Sequence, residues 1–358
     1  MLGLLVIGFT VLMIYTLVKN ALFGKQLSAD DLYTGSTDLI IPITYRSEFY
    51  LEPWIKALGT FQSGQVRIHL LIDGHHPSMT AWHELSQKLP NVELHTFLSR
   101  PEGTPAVAWM LEKVAPHIRG EVVIIGDAEL VPTAQAFSSL SKLILDKDRP
   151  YFVMPQTAKL NLVGESLALL NPTLALASVF GFKKYRRKMT FPLLSVAQGW
   201  MGMPLKTFQN LNFAGITQES WKQALTKKWE EVNVDFHLAF GERQLLRFYP
   251  EDLKVQIFQM KSYWGDLWNQ PDKNGFWLFL VALFIWSFPL LCFFSHPFWS
   301  LASFTLLILY RFFSKIVFQE SWGAIALHPL ACIGWIGTLV WWTIDGAKTK
   351  YGSGTQRN

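Results

Sequence analysis

Asp127 and Glu129 stand one residue apart, directly after the apolar run Val122-Val123-Ile124-Ile125-Gly126. An unbroken run of that kind reads as a strand buried on both faces of a parallel sheet. Open α/β sheets bind their ligands beyond the carboxyl ends of such strands, so the carboxylate pair falls where a ligand would sit. Carboxylate oxygens suit a hard divalent ion, and such an ion bridges substrate phosphates. Apolar segments lie at both ends of the chain. Together these features imply a membrane-held enzyme that uses a nucleoside-diphosphate substrate.

Each acidic position also has a plain reading. Asp127 and Glu129 could be a solvated strand end. Asp73 precedes Gly74, as turn residues do. Asp235 follows Glu230 and Glu231, as on a solvated helix face. His75, His76 and His237 read as surface or packing residues, because no zinc-type spacing joins them. Trp200, Trp264 and Trp268 could be core or interface anchors rather than a sugar platform.

The elements that must position these residues follow from the patterning between residues 37 and 273. Residues 38–44, 66–72, 92–97 and the run from Val122 read as strands. Residues 49–61, 82–89 and 105–115 have helical spacing. Strands alternating with helices predict an α/β fold with a doubly wound, mostly parallel sheet. No internal repeat and no long disordered linker is visible.

The chain has 358 residues, half of them hydrophobic, with a formal charge of +5. That is too apolar for an ordinary soluble protein and too charged in its middle for a pure membrane bundle. Residues 1–18 are almost continuously apolar, closed by Lys19 and Lys25, and lack the basic start and cleavage site of a secretory signal. They read as a retained anchor. Residues 276–294, 298–313 and 324–344 are also apolar enough to enter a bilayer. The positive-inside rule puts the polar middle in the cytosol. Three crossings after it would leave Lys348, Lys350 and Arg357 outside, so one segment is expected to lie in the interface or re-enter, with Pro329, Gly334 and Gly337 marking the last. The expected organisation is an anchor at 1–25, a cytosolic domain at 37–273, membrane segments at 274–345 and a polar tail at 346–358.

Both cysteines, Cys292 and Cys332, lie in apolar segments and give neither a disulfide framework nor a zinc site. The positive charge fits a protein beside an anionic leaflet; no basic-aromatic motif points to nucleic acid. The run Lys183-Lys184-Tyr185-Arg186-Arg187-Lys188 is flanked by apolar sequence. It reads as an amphipathic segment on an anionic membrane surface, bordering the path of a lipid acceptor.

In order and spacing, the Ile-Ile-Pro strand, the Ile72-Asp73-Gly74 turn, Gly126-Asp127-Ala128-Glu129-Leu130, Val234-Asp235-Phe236 and Arg247-Phe248-Tyr249-Pro250-Glu251-Asp252 resemble the family 2 inverting glycosyltransferases of GT-A fold. The branch they look most like is membrane-bound and glycosylates lipids such as carotenoids, hopanoids and ceramides. The resemblance covers nearly the whole chain, and the stretch from Trp342 to Tyr351 is similar to that branch's tail motif. It implies that Asp73 holds the nucleotide base, with Ile72 where the family has another Asp. It implies that Asp127 and Glu129 bind Mg²⁺ or Mn²⁺ on the donor diphosphate, Glu129 being one methylene longer than the family's Asp. It implies that Asp235 is the catalytic base, with Val234 in place of the family's Glu. A Lys often found in the family near 101–109 is absent. Gln259 and Trp264 match the family's donor-side Gln and Trp, in a segment that lacks its Arg and carries one extra residue.

The chemistry implied is one in-line displacement that inverts the anomeric centre, unlike glycoside hydrolysis, in which two carboxylates flank the bond. The partners implied are a nucleotide-sugar, a lipid acceptor and the cytosolic leaflet of a membrane. Two alternatives stay open: a processive polysaccharide synthase, and a catalytically weak member that acts as a scaffold in a membrane complex.

Overall fold

The computed structural model describes residues 2–23, 25–27, 33, 35–43, 54, 66–98, 106–126, 128, 130–157, 200–211, 213, 237–241, 245–247, 253–268, 274–318 and 321–352. In chain order these carry α1 (Leu2–Phe23), β1 (Lys25–Gln26), β2 (Thr37–Ile43), β3 (Val66–Asp73), α2 (Met79–Lys88), β4 (Val92–Phe97), α3 (Ala106–Val114), β5 (Val122–Ile125), β6 (Leu130–Pro132) and α4 (Ala134–Lys147). Then follow β7 (Tyr151–Met154), β8 (Gln156–Thr157), β9 (Trp200–Pro204), α5 (Leu205–Gln209), β10 (His237–Phe240), β11 (Leu245–Arg247), α6 (Leu253–Trp268), α7 (Asn274–Leu291), α8 (Pro297–Phe318), α9 (Trp322–Ala326) and α10 (His328–Gly352). The helix expected at 49–61 lies outside the described residues except for Trp54.

The chain divides into two compact units, one made of 23–158 with 181–248 and the other of 1–22, 159–180 and 249–358. The first unit is α/β. Its main sheet has eight strands in the order β1-β10-β7-β9-β5-β2-β3-β4, and β9 alone runs antiparallel to its neighbours. A smaller sheet has the order β6-β11-β8.

Strand alternation assigns the two faces. Leu39, Ile41, Ile68, Leu70, Ile72, Val122 and Ile124 share one core with Trp82 and Leu85 of α2 and with Phe137, Leu140 and Ile144 of α4. The opposite face carries Arg67, His69, Glu93, His95 and Phe97, and α3 covers it, Trp109 meeting Phe97 edge-on at 5.2 Å. Helices on both faces explain why β2 and β5 are buried along their whole lengths. Each such side chain contributes about 1.5–3 kcal/mol on burial. The edge strand β4 is covered less: Val92 is buried, Leu94, His95 and Phe97 are partly covered, and Glu93 and Thr96 are exposed.

Helix ends follow local chemistry. α2 starts at Met79, three residues earlier than the apolar spacing indicated; Met79 packs against the core, and Trp82 and Leu85 supply the buried stripe. α4 is capped by Thr133, whose hydroxyl accepts from the Ala136 N–H at 3.3 Å, and ends on Asp148 in the left-handed conformation.

The second unit is helical. α6 packs on α7 and α10, and α7 also packs on α8. Trp264 is fully buried there among Phe276, Phe279 and Trp335. The apolar segment expected at 324–344 is two helices, broken at Leu327, with Pro329 in the first turn of α10, where its missing N–H costs least. α7, α8 and α10 also turn large apolar side chains outward, including Phe284, Leu301, Ile308, Ile316, Ile333 and Val340. Among the described residues one helix, α1, is long and apolar enough to cross a membrane, over Leu2–Lys19. Phe279–Leu291 is a shorter apolar stretch.

Candidate active site

β5, β2 and β3 are adjacent and parallel, so Ile125, Ile43 and Asp73 end along one edge of the sheet. At β3 the Gly74 N–H donates to the Phe97 carbonyl at 2.8 Å, which turns the chain directly after Asp73. A Cβ on Gly74 would come within 2.3 Å of Leu98 Cδ2, so a side chain there would have to displace the exposed Leu98.

At β5 the Gly126 N–H donates to the Ile40 carbonyl at 2.9 Å, extending the ladder by one residue. Ala128 is buried, and its carbonyl accepts from the Trp54 indole N–H at 2.6 Å. Leu130 then enters β6, paired with Arg247 of β11. The backbone on either side of Asp127 and Glu129 is therefore tied at three points. Asp127 and Glu129 themselves lie outside the described residues, as do Asp235 and the run containing Lys183, Lys184, Arg186, Arg187 and Lys188.

Asp235 stands two positions before His237, the first residue of β10. His237, which opens β10, is level with Tyr151 of β7, Gly202 of β9 and Ile124 of β5. Its Nε2 lies 3.3 Å from a guanidinium nitrogen of Arg149, and its ring packs on Tyr151. Gln259 and Trp264 are on α6. The Trp264 indole donates to Thr338 Oγ1 at 3.1 Å inside its own unit.

The structure brings together a polar group that no spacing in the sequence announced. Asp38 is fully buried at the start of β2. Its carboxylate takes Arg67 Nε at 2.8 Å, the N–H groups of Arg119 and Gly120 at 2.6 Å each, and faces His69 Nε2 at 3.3 Å. Burial alone would raise its pKa; hydrogen bonds from His69, Gly120 and Arg119 outweigh it and hold the carboxyl below its ordinary value. Beyond His69 lie Glu93 and His95. Burial, then the neighbouring His69, lowers the pKa of His95. The only trace of this group in the sequence is polar residues at alternate positions of two otherwise apolar strands.

No family model matches the sequence, and no curated protein matches it. Solved structures do. The mannosyltransferase PcManGT from Pyrobaculum calidifontis, in complex with GDP-Man and Mn²⁺, is similar over 95% of this chain and 99% of its own, with 12% identity and a TM-score of 0.46. S. aureus TarS is similar over 66% of this chain and 40% of its own, with 13% identity and a TM-score of 0.41. Residues 1–349 of TarS, in complex with UDP-GlcNAc, match over 84% of this chain and 92% of that one, at 11% identity and a TM-score of 0.41.

Proposed function

We propose that the protein is a membrane-anchored inverting glycosyltransferase that moves a sugar from a nucleotide-sugar to a hydroxyl or carboxyl group of a lipid in the cytosolic leaflet. The observation that carries this reading is the placing of Asp127-Ala128-Glu129 immediately past the carboxyl end of β5, a central parallel strand, with Ala128 tied to Trp54. In this reading Asp127 and Glu129 hold Mg²⁺ or Mn²⁺, since two carboxylates are a hard oxygen donor set. The ion supplies charge neutralisation at the departing diphosphate. Asp73, at the same sheet edge, binds the nucleotide base. Asp235 takes the proton from the acceptor as it attacks in line.

The membrane part of the reading extends from α1 to a multi-pass arrangement. The outward apolar side chains of α7, α8 and α10 support it, because a water-soluble bundle would turn them inward. The basic run at Lys183, Lys184, Arg186, Arg187 and Lys188 lies against the anionic lipid surface and borders the acceptor's path. A scaffold role is the second reading: Ile72, where the family has Asp, is fully buried in the core.

The deciding experiment is Mn²⁺-dependent binding of UDP and GDP by the full-length protein and by Glu129→Ala. Binding that needs the ion and is abolished by Glu129→Ala supports the transferase. Affinity that is unaltered in the variant overturns the metal assignment. Lipid mass spectrometry of cells with and without the protein would then name the product.

A further inference from the structure

We propose that His69, Glu93 and His95 form a second metal centre, suited to zinc or a similar first-row divalent ion, which fastens the edge strand β4 to β3. The strands are parallel neighbours, with Glu93 opposite His69 and His95 opposite Leu71. All three side chains therefore emerge on the same face of the sheet.

The donor atoms form a compact triangle. His69 Nδ1 lies 3.0 Å from His95 Nε2, and Glu93 Oε2 lies 3.4 Å from the first and 3.6 Å from the second. Zinc binds His nitrogen and carboxylate oxygen at about 2.0–2.2 Å. Tetrahedral geometry with such bonds separates neighbouring donors by about 3.3–3.5 Å. The triangle already has that size, so an ion would need only small rotations of three side chains.

A second feature points the same way. The other nitrogen of His69, Nε2, faces the buried Asp38 carboxylate at 3.3 Å. Donation from Nε2–H to Asp38 leaves Nδ1 with a lone pair directed into the triangle. Metal-binding histidines are held by carboxylates in this way, which fixes the tautomer and raises the basicity of the ligating nitrogen. Asp38 is itself clamped by Arg67 and by two backbone N–H groups. The support is rigid, and it lies on the side of His69 away from the triangle.

Access is open on the other side. Glu93 is 53% exposed and His95 is 18% exposed, whereas His69 is 1% exposed. The ring of His117 stands 5.4 Å from that of His95, on the turn that follows α3. A fourth position would go to water. The consequence reaches the candidate active site, because β4 ends at Phe97, whose carbonyl holds the Gly74 N–H beside Asp73. This proposal does not depend on the transferase reading, since no residue of the triangle belongs to the donor site.

The test uses the full-length protein in detergent, without nucleotide, comparing it with Glu93→Gln, His95→Ala and Glu129→Ala. Zinc content is measured after purification. Co²⁺ is then titrated into the metal-free protein, and its visible ligand-field bands are followed. The expected result is one zinc per chain, tetrahedral Co²⁺ bands, and at least about tenfold weaker binding in Glu93→Gln and His95→Ala, with Glu129→Ala unchanged. Glu93 is half exposed, so Glu93→Gln should fold; a chelator-treated melting temperature equal to that of the chelator-treated parent checks this. Absence of bound zinc and of Co²⁺ bands in the parent overturns the proposal. So does full retention in Glu93→Gln, and so does loss of the metal in Glu129→Ala, which would assign the ion to the acidic pair.

Discussion

The indole N–H of Trp54 donates to the carbonyl of Ala128 at 2.6 Å, across 74 positions of sequence. Both groups are buried, and Ala128 stands in sequence between Asp127 and Glu129, the two carboxylates proposed for donor binding. One hydrogen bond thus anchors the backbone at Ala128. Its removal should be felt in stability and in donor binding together.

Trp54→Phe removes the donor and, because phenyl is smaller than indole, some buried volume with it. The Ala128 carbonyl is then buried without its partner, a loss of about 1–3 kcal/mol. Urea unfolding should show a lower midpoint with an unchanged slope, and Mn²⁺-dependent UDP affinity should fall. A variant as stable as the parent would show that this bond contributes nothing measurable.

Gly126→Ala tests how tightly the end of β5 is packed. A Cβ there would lie 2.5 Å from Trp200 Nε1 and 2.8 Å from its Cδ1, in an indole that is fully buried against Phe137. The ring cannot swing aside without disturbing the core. Overpacking of this kind costs about 1–3 kcal/mol. A thermal melt should show the loss, and Gly126→Ser should show no less. An unshifted melting temperature in the alanine variant would mean that the strand end yields freely.

Tyr33 supplies a pH dependence. Its hydroxyl donates to Glu121 Oε2 at 2.5 Å, and its backbone N–H donates to Ser138 Oγ at 2.6 Å. Burial first, then the hydrogen bond and the charge of Glu121, raise its pKa above the usual phenol value. The folded state therefore holds this proton more tightly than the unfolded chain does. The stabilisation is complete below about pH 10 and is lost as the pH rises through the raised folded value. The melting temperature should fall above about pH 10 more steeply in the parent than in Tyr33→Phe, which has no proton to lose there. Parallel curves for the two proteins would remove Tyr33 from the account.

Asp235→Asn keeps side-chain shape and removes basicity. If Asp235 is the base, kcat falls by about 10²–10⁴ while nucleotide-sugar affinity is nearly unchanged. Normal turnover in this variant places the base elsewhere, with Glu230 and Glu231 the next acids to substitute.

Local patterning was enough to identify β2, β3, β4 and β5 to within a residue, because strands inside the sheet are apolar at most positions and the edge strand β4 keeps Val92, Leu94 and Phe97. It also marked α3, whose buried residues Val107, Ala108, Met110, Leu111 and Val114 follow helical spacing. Within the candidate site, composition pointed to Asp127 and Glu129 as acids after a buried strand, and to Asp73 before a glycine turn. Those are relations between neighbours in the chain. What only the tertiary structure decided is which strands lie side by side and in what register. Trp54 meets Ala128 because the chain returns across the sheet, and nothing near residue 54 encodes that contact. His69 and His95 are 26 positions apart, and each alone reads as a polar residue in an apolar strand. They share a face with Glu93 because β3 and β4 pair in parallel with Glu93 opposite His69, and a slip of one residue would have sent Glu93 and His95 to the other side. Register is set by the fit of the whole core, so a site built across strands becomes visible only once that core has formed.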